Sequence, residues 1–130
     1  GFFNDKKMHQ NVSESIQDVA PSVRIEIAAW LAHFPKYSEV SLDRLVKDLE
    51  HPDWAVALQA CRAIELLGSK AKSVLESMKK IYTKTRNEPG DNNFFIAFSS
   101  GAFLDKLGEK TIPWDFTPGA GSFMPPKKKK

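Results

Sequence analysis

The chain has 130 residues, of which 42% are hydrophobic and 27% are charged, values that are ordinary for one globular domain. The formal net charge of +3 includes the four terminal lysines, residues 127–130, so the rest of the chain sums to 3 − 4 = −1. A nucleic-acid-binding domain usually carries a basic face, so this nearly neutral body predicts no nucleic-acid partner. No apolar run in the sequence approaches the roughly 20 residues of a membrane-spanning helix, and we expect no membrane partner. The single cysteine, Cys61, excludes an internal disulfide bond.

The first predicted pair of helices covers residues 8–34. Its opening helix is indicated by apolar residues at spacings of three or four: Met8, Val12, Ile16 and Val19. Pro21 then opens a second helix over residues 23–34, because proline is well tolerated in the first helical turn. We expect Trp30 of this helix to pack in the core.

The second predicted pair covers residues 42–67 and has the clearest helical period. Its first helix has one apolar stripe, made of Leu42, Leu45, Val46 and Leu49, with Ser38 or Ser41 as the N-cap. Asp53 is the predicted N-cap of its second helix, and Gly68 is expected to end that helix. Four acidic residues are expected on solvated helix faces, opposite the apolar stripes: Asp43, Asp48, Glu50 and Glu65.

The third predicted pair covers residues 71–107, with Ser69 as its N-cap and a turn-rich break at residues 87–93. Its second helix is rich in phenylalanine and is expected to end at Gly108. Gly101, within that helix, lies where a neighbouring helix could approach closely. The sequence therefore predicts an all-α fold with about six helices in three antiparallel hairpins.

Two similar stretches indicate that these hairpins are repeats. LLGSKA at residues 66–71 returns as KLGEKT at residues 106–111, and superposing the second helices of the three pairs gives steps of 33 and 40 residues. Periods of this length with two helices per unit are typical of an α-solenoid, in which each unit buries its apolar face against its neighbours.

The last twenty residues, TIPWDFTPGAGSFMPPKKKK, have no helical period. We expect a helical-repeat domain at residues 1–110 and an extended or disordered tail, rich in proline, glycine and lysine, at residues 111–130. Trp114 and Phe116 are costly to leave in water, so residues 111–118 are predicted to strap across the last hairpin.

The pattern D-x-x-V-x-[IL]-x-A-x-x-[AW]-[LI], found at residues 53–64 and more loosely at residues 20–31, resembles HEAT and HEAT-like repeats. The stretch SLDRLVKDLEHPDWAVALQACRAIELLGSKAKSVLESMKK is similar to the HEAT-like extension that follows the catalytic domain in many bacterial sulfatases. The resemblance implies an α-solenoid of about three HEAT-like hairpins. It also implies a non-catalytic module docked on an upstream catalytic domain of the same polypeptide, in the periplasm or secreted.

Candidate chemistry within the chain is sparse. Sulfatases of that family need C/S-x-P-x-R, whereas Cys61 is followed by Arg62, Ala63 and Ile64 and lies on an apolar helix side, where a thiol packs as a small hydrophobe. The three histidines are far apart in sequence, and none has a second ligand at i+3 or i+4. His51 is expected to satisfy carbonyl groups at a helix end. We therefore expect no catalytic residue, cofactor or metal in this segment.

Two alternatives to the sulfatase extension stay open. One is a free-standing adaptor that presents a concave surface to a protein. The other, less favoured, is a HEAT-like alkylpurine DNA glycosylase, which would need a concave face rich in lysine and arginine. The residues predicted to form an interaction surface are Trp54, Tyr37, Arg24 and Arg62. Apolar residues near the start of the chain, Phe2, Phe3 and Met8, also predict self-association.

Overall fold

The structure is a computed structural model that describes residues 10, 11, 14 and 19–113. Helices and turns make up this part of the chain, which contains no β-strand, so the predicted all-α class is confirmed. The helices are α1 (Pro21–Leu31), α2 (Pro35–Leu49), α3 (Trp54–Leu67), α4 (Leu75–Asn87) and α5 (Asp91–Lys106), with a 3₁₀ segment, Gly68–Val74, between α3 and α4. Residues 10, 11 and 14 are helical, whereas Val19 lies in a bend rather than in the predicted helix. The other residues of the helix predicted before Pro21 lie outside the described residues, as do Phe2, Phe3 and Met8.

Three predicted helix ends are confirmed. The Asp53 side chain accepts a hydrogen bond from the Ala55 backbone N–H at 3.0 Å, so it caps α3. Gly68 follows the last residue of α3 with φ of 56°, and Gly108 follows α5 with φ of 77°. Both backbone angles lie in the left-handed region that glycine adopts without a steric penalty.

Two predicted caps are wrong. Helix α2 begins at Pro35 rather than after Ser38 or Ser41, because the fixed φ of proline suits the first helical turn. Ser41 is consequently inside α2 and buried. Ser69 caps no helix, since the chain continues from Gly68 in a 3₁₀ segment and α4 begins only at Leu75.

Helix α3 lies at the centre, in contact with α1, α2 and α5. It runs parallel to α1. Near the N-terminal ends of the two helices Gln59 Nε2 donates to the Ser22 carbonyl at 3.0 Å, and just beyond their C-terminal ends Lys70 Nζ lies 2.9 Å from His33 Nδ1. Helices α2 and α4 pack against α3 and α5 respectively, as the first members of two helical hairpins.

Helix α5 lies on the other side of α3 and is also parallel to it. The Cys61 thiol donates to the Ile96 carbonyl at 3.7 Å, and one turn further along both helices Ser99 Oγ donates to Glu65 Oε1 at 2.8 Å. The three helices α1, α3 and α5 therefore form one layer of parallel helices.

The buried positions of this layer repeat at a constant interval. Arg24, Ile25 and Ala28 on α1 are followed 36 residues later by Ala60, Cys61 and Ile64 on α3, and a further 36 residues later by Ile96, Ala97 and Ser100 on α5; all nine are buried. The expected steps of 33 and 40 residues therefore misplace the register. The predicted steps depend on where helices begin and end, and these positions vary with loop length. The buried positions depend instead on which helix faces contact each other.

Candidate interaction surface

Trp30, expected in the core, is instead 63% exposed on the outer side of α1. The buried residues of α1 are Arg24, Ile25 and Ala28, and Trp30 lies about 160° around the helix from Ala28 at 100° per residue. The Phe34 ring makes an edge-on contact with the indole at a centroid distance of 5.0 Å. An aromatic side chain exposed to this extent marks a candidate binding surface.

Leu66 of α3 is 72% exposed and lies across a groove from Trp30. The groove has a volume of about 390 Å³, runs between α1 and α3 and is floored by small or apolar residues, Ile25, Ala29 and Ala63. Trp30, Leu66 and this floor form what we call the α1–α3 groove. Its size and apolar floor suit a partner's side chains.

Charged groups of both signs border the α1–α3 groove. Glu26 lies on the α1 side and Arg62 on the α3 side, where Arg62 Nη1 is 3.2 Å from Glu65 Oε1. Glu65 itself is half-buried, because it accepts the hydrogen bond from Ser99, so its predicted solvated position is wrong. A rim of mixed charge around an apolar centre is the usual composition of a protein–protein interface.

A second groove, of about 650 Å³, lies between α2 and α4. Trp54 lines it and is exposed, next to His51 and below Lys80 and Lys84 of α4. The His51 ring accepts a hydrogen bond at Nδ1 from the Asp53 backbone N–H at 3.0 Å, so it satisfies a donor at the start of α3 rather than the carbonyls we expected.

The four residues predicted to form a surface do not come together. Arg62 borders the α1–α3 groove and Trp54 lines the other groove, while Tyr37 is half-buried in the first turn of α2. Arg24 is buried, so the structure contradicts its place on an exposed surface. Trp30 was expected in the core and Leu66 was not singled out, although three of the four neighbours of Leu66 at helical spacing are polar.

Arg24 is buried because it pairs with Asp48, another residue wrongly expected on a solvated face. Arg24 donates through Nε and Nη2 to the two Asp48 oxygens at 3.0 and 2.7 Å, and Arg44 Nη2 donates to Oδ1 at 3.0 Å. Burial raises the pKa of Asp48, but the hydrogen bonds from both arginines outweigh it and hold that pKa below its ordinary value of 3.8. The ionised carboxylate therefore ties α1 to α2.

Cys61 is fully buried, as expected, with its thiol against α5. Burial raises the pKa of this thiol to about 12, so it is protonated at neutral pH, and a protonated thiol is a poor nucleophile. Within residues 19–113 and the three described residues before them, no group of three His, Cys, Asp or Glu side chains is placed to hold a metal ion.

No family model, no curated protein and no solved structure matches this chain. Among the described helices, none is both long enough and apolar enough to cross a membrane.

Proposed function

We propose that this segment is a non-catalytic interaction module that binds a protein partner through the α1–α3 groove. The observation that carries the proposal is the pairing of Trp30 and Leu66, two large apolar side chains exposed across one apolar floor. Aromatic anchors beside a pocket, surrounded by polar groups, contribute most of the binding energy of protein interfaces.

We further propose that the module is a HEAT-like α-solenoid. The constant interval of 36 residues between buried positions on α1, α3 and α5 supports this architecture, as does the parallel course of those three helices. In such arrays the equivalent helices of successive hairpins line one continuous face, which is the face used for binding.

The partner we favour is a hydrolase domain of the same polypeptide, in line with the resemblance of residues 41–80 to the extension of bacterial sulfatases. A free-standing adaptor would use the same groove, and only the location of its partner would differ. For either, the catalytic chemistry belongs to the partner and the groove supplies affinity.

Selection from a random peptide library tests the proposal without knowledge of the partner. We expect the native chain to enrich peptides that the Trp30→Ala/Leu66→Ala variant fails to retain. Trp54→Ala is the matched control, since it removes an exposed tryptophan from the other groove, and it should retain the same peptides. Peptides retained by the double variant and lost with Trp54→Ala would overturn the proposal.

A duplex DNA probe at physiological salt separates the glycosylase alternative. The α1–α3 groove has Glu26 opposite Arg62, and Glu65 neutralises that arginine. Phosphate binding depends on unneutralised lysine and arginine, so we expect no measurable binding. Tight, salt-dependent binding of the duplex would favour the alternative instead.

A further inference from the structure

The α1–α3 groove is bounded at both ends by contacts between its two helices. Gln59 Nε2 donates to the Ser22 carbonyl at one end, and Lys70 Nζ lies 2.9 Å from His33 Nδ1 at the other. From Ser22 to His33 the chain advances about 16 Å at the rise of an α-helix. A partner segment that lies along the groove therefore has room for about ten helical residues or about five extended ones.

The apolar and charged side chains that border the groove lie at two levels along it. Trp30 and Leu66 are 36 residues apart, which is the interval between equivalent buried positions of α1 and α3. Glu26 and Arg62 are separated by the same interval and lie one turn nearer the N-terminal ends of the two helices. Four residues of helix rise about 6 Å, so this is the distance along the groove between the apolar pair and the charged pair.

The charges around the groove favour a basic group on the α1 side. Glu26 is exposed, and none of the described residues forms an ion pair with its carboxylate. Arg62, on the α3 side, is already paired with Glu65, and Lys70 adds a positive charge at the far end. A basic residue of a partner is therefore attracted to Glu26 and repelled from α3.

The groove offers no unpaired backbone edge to an extended peptide. The backbone N–H and C=O groups of α1 and α3 are bonded within their own helices, so a strand cannot add to them. The floor, made of Ile25, Ala29 and Ala63, has no polar side-chain atom. A helical partner pairs its own backbone groups, and the two alanines allow it to approach closely.

We propose that the partner segment bound in the α1–α3 groove is an amphipathic helix with an apolar residue and a basic residue three or four positions apart. The apolar residue inserts between Trp30 and Leu66, and the basic residue pairs with Glu26. This inference rests on the proposed function and adds the conformation and charge of the partner. In an extended peptide, about 6 Å corresponds to two residues, so the spacing distinguishes the two conformations.

Exchange of charge tests the pairing with Glu26. The probe is the tightest library peptide that the native chain retains and the Trp30→Ala/Leu66→Ala variant loses. In calorimetric titrations of the full chain, we expect Glu26→Lys to weaken binding of the probe about tenfold. A probe whose basic residue is replaced by Glu should bind Glu26→Lys more tightly than it binds the native chain.

Asp43→Lys is the matched control for this charge reversal. It changes an exposed carboxylate on α2, outside the groove, and should leave the affinity of the probe unchanged. Equal affinity of the probe for the native chain and for Glu26→Lys would overturn the pairing.

A proline in the probe tests the helix. Proline between the basic and the apolar residue breaks the helical hydrogen-bond ladder and should weaken binding about a hundredfold, whereas alanine at the same position should be tolerated. A probe that tolerates proline, or whose basic and apolar residues are two positions apart, would overturn the helical partner and leave the groove as the binding surface. A library that yields no peptide dependent on Trp30 and Leu66 would instead overturn the proposed function itself.

Discussion

Arg24 and Asp48 join α1 to α2 through two parallel hydrogen bonds, of 3.0 and 2.7 Å, with both side chains buried. This bidentate geometry holds the guanidinium and the carboxylate in one plane, and Arg44 donates to the same carboxylate from one turn earlier on α2. Removing the carboxylate would leave Arg24 buried without its counter-ion. Such a loss costs about 3–5 kcal/mol in a typical buried pair.

We therefore expect Asp48→Asn to lower the free energy of unfolding by about 3–5 kcal/mol in urea denaturation. Asp43→Asn, an exposed change on the same helix, should stay within about 0.5 kcal/mol of the native chain. An equally small change in the free energy of unfolding for Asp48→Asn would mean that the ion pairs of Asp48 with Arg24 and Arg44 contribute no stability.

The cluster of Arg24, Arg44 and Asp48 also predicts that the fold is sensitive to acid. The pKa of Asp48 is lowered in the folded chain relative to its ordinary value of 3.8, so its stabilisation is complete above that value and is lost as the pH falls through the folded-state pKa. Stability measured against pH should therefore fall more steeply below pH 4 for the native chain than for Asp48→Asn. Parallel curves would contradict the lowered pKa.

Leu66 and Leu67 provide a matched test of the core and the groove. Leu67→Ala should cost about 2–5 kcal/mol because its side chain is buried, as the helical period predicted. Leu66→Ala removes the same atoms from an exposed site and should change stability by less than about 0.5 kcal/mol. Denaturant titrations of the two variants measure the difference in the free energy of unfolding. Equal losses would contradict the position of Leu66 on the exposed face of α3.

Gly101 leaves room for the Tyr82 ring where α4 crosses α5. A Cβ atom at position 101 would lie 3.0 Å from Tyr82 Cε1, and the Tyr82 hydroxyl accepts a hydrogen bond from the Ile112 backbone N–H, so the ring has little freedom to move. We expect Gly101→Ala to destabilise the fold by on the order of 1 kcal/mol, since overpacking costs about 1–3 kcal/mol and alanine returns about 1 in a helix. Added to Tyr82→Leu, the same change should be neutral or stabilising. If Gly101→Ala lowered stability equally in the native chain and in the Tyr82→Leu variant, the contact between Gly101 and the Tyr82 ring would be contradicted.

The helical spacing of the sequence predicted the residues whose burial or capping role depends on their own helix. The burial of Cys61 and the cap at Asp53 were predicted because spacing along one helix indicates both. Asp48 and Trp30 were not, because their states depend on which helix lies opposite. Asp48 is buried only because α1 presents Arg24 to it, and Trp30 is exposed because the α1–α3 contact uses Ile25 and Ala29.

Deletion of the tail tests the contacts that residues 109–113 make with α4. Truncation after Gly108 removes the contacts with Lys79, Tyr82 and Arg86, so the melting temperature should fall. Deleting only residues 127–130 should leave it unchanged, because like charges at a chain end contribute little. An unchanged melting temperature after the longer deletion would show that the contacts of residues 109–113 add no stability.

We propose that the α1–α3 groove is the surface on which a protein partner binds. It is tested most directly by titrating the ¹⁵N-labelled chain with the tightest peptide from the library selection and following its indole and amide resonances. We predict that the largest shifts fall on Trp30, Ala63 and Leu66, with Trp54 unmoved. Shifts concentrated on Trp54 and the groove between α2 and α4 would contradict the claim.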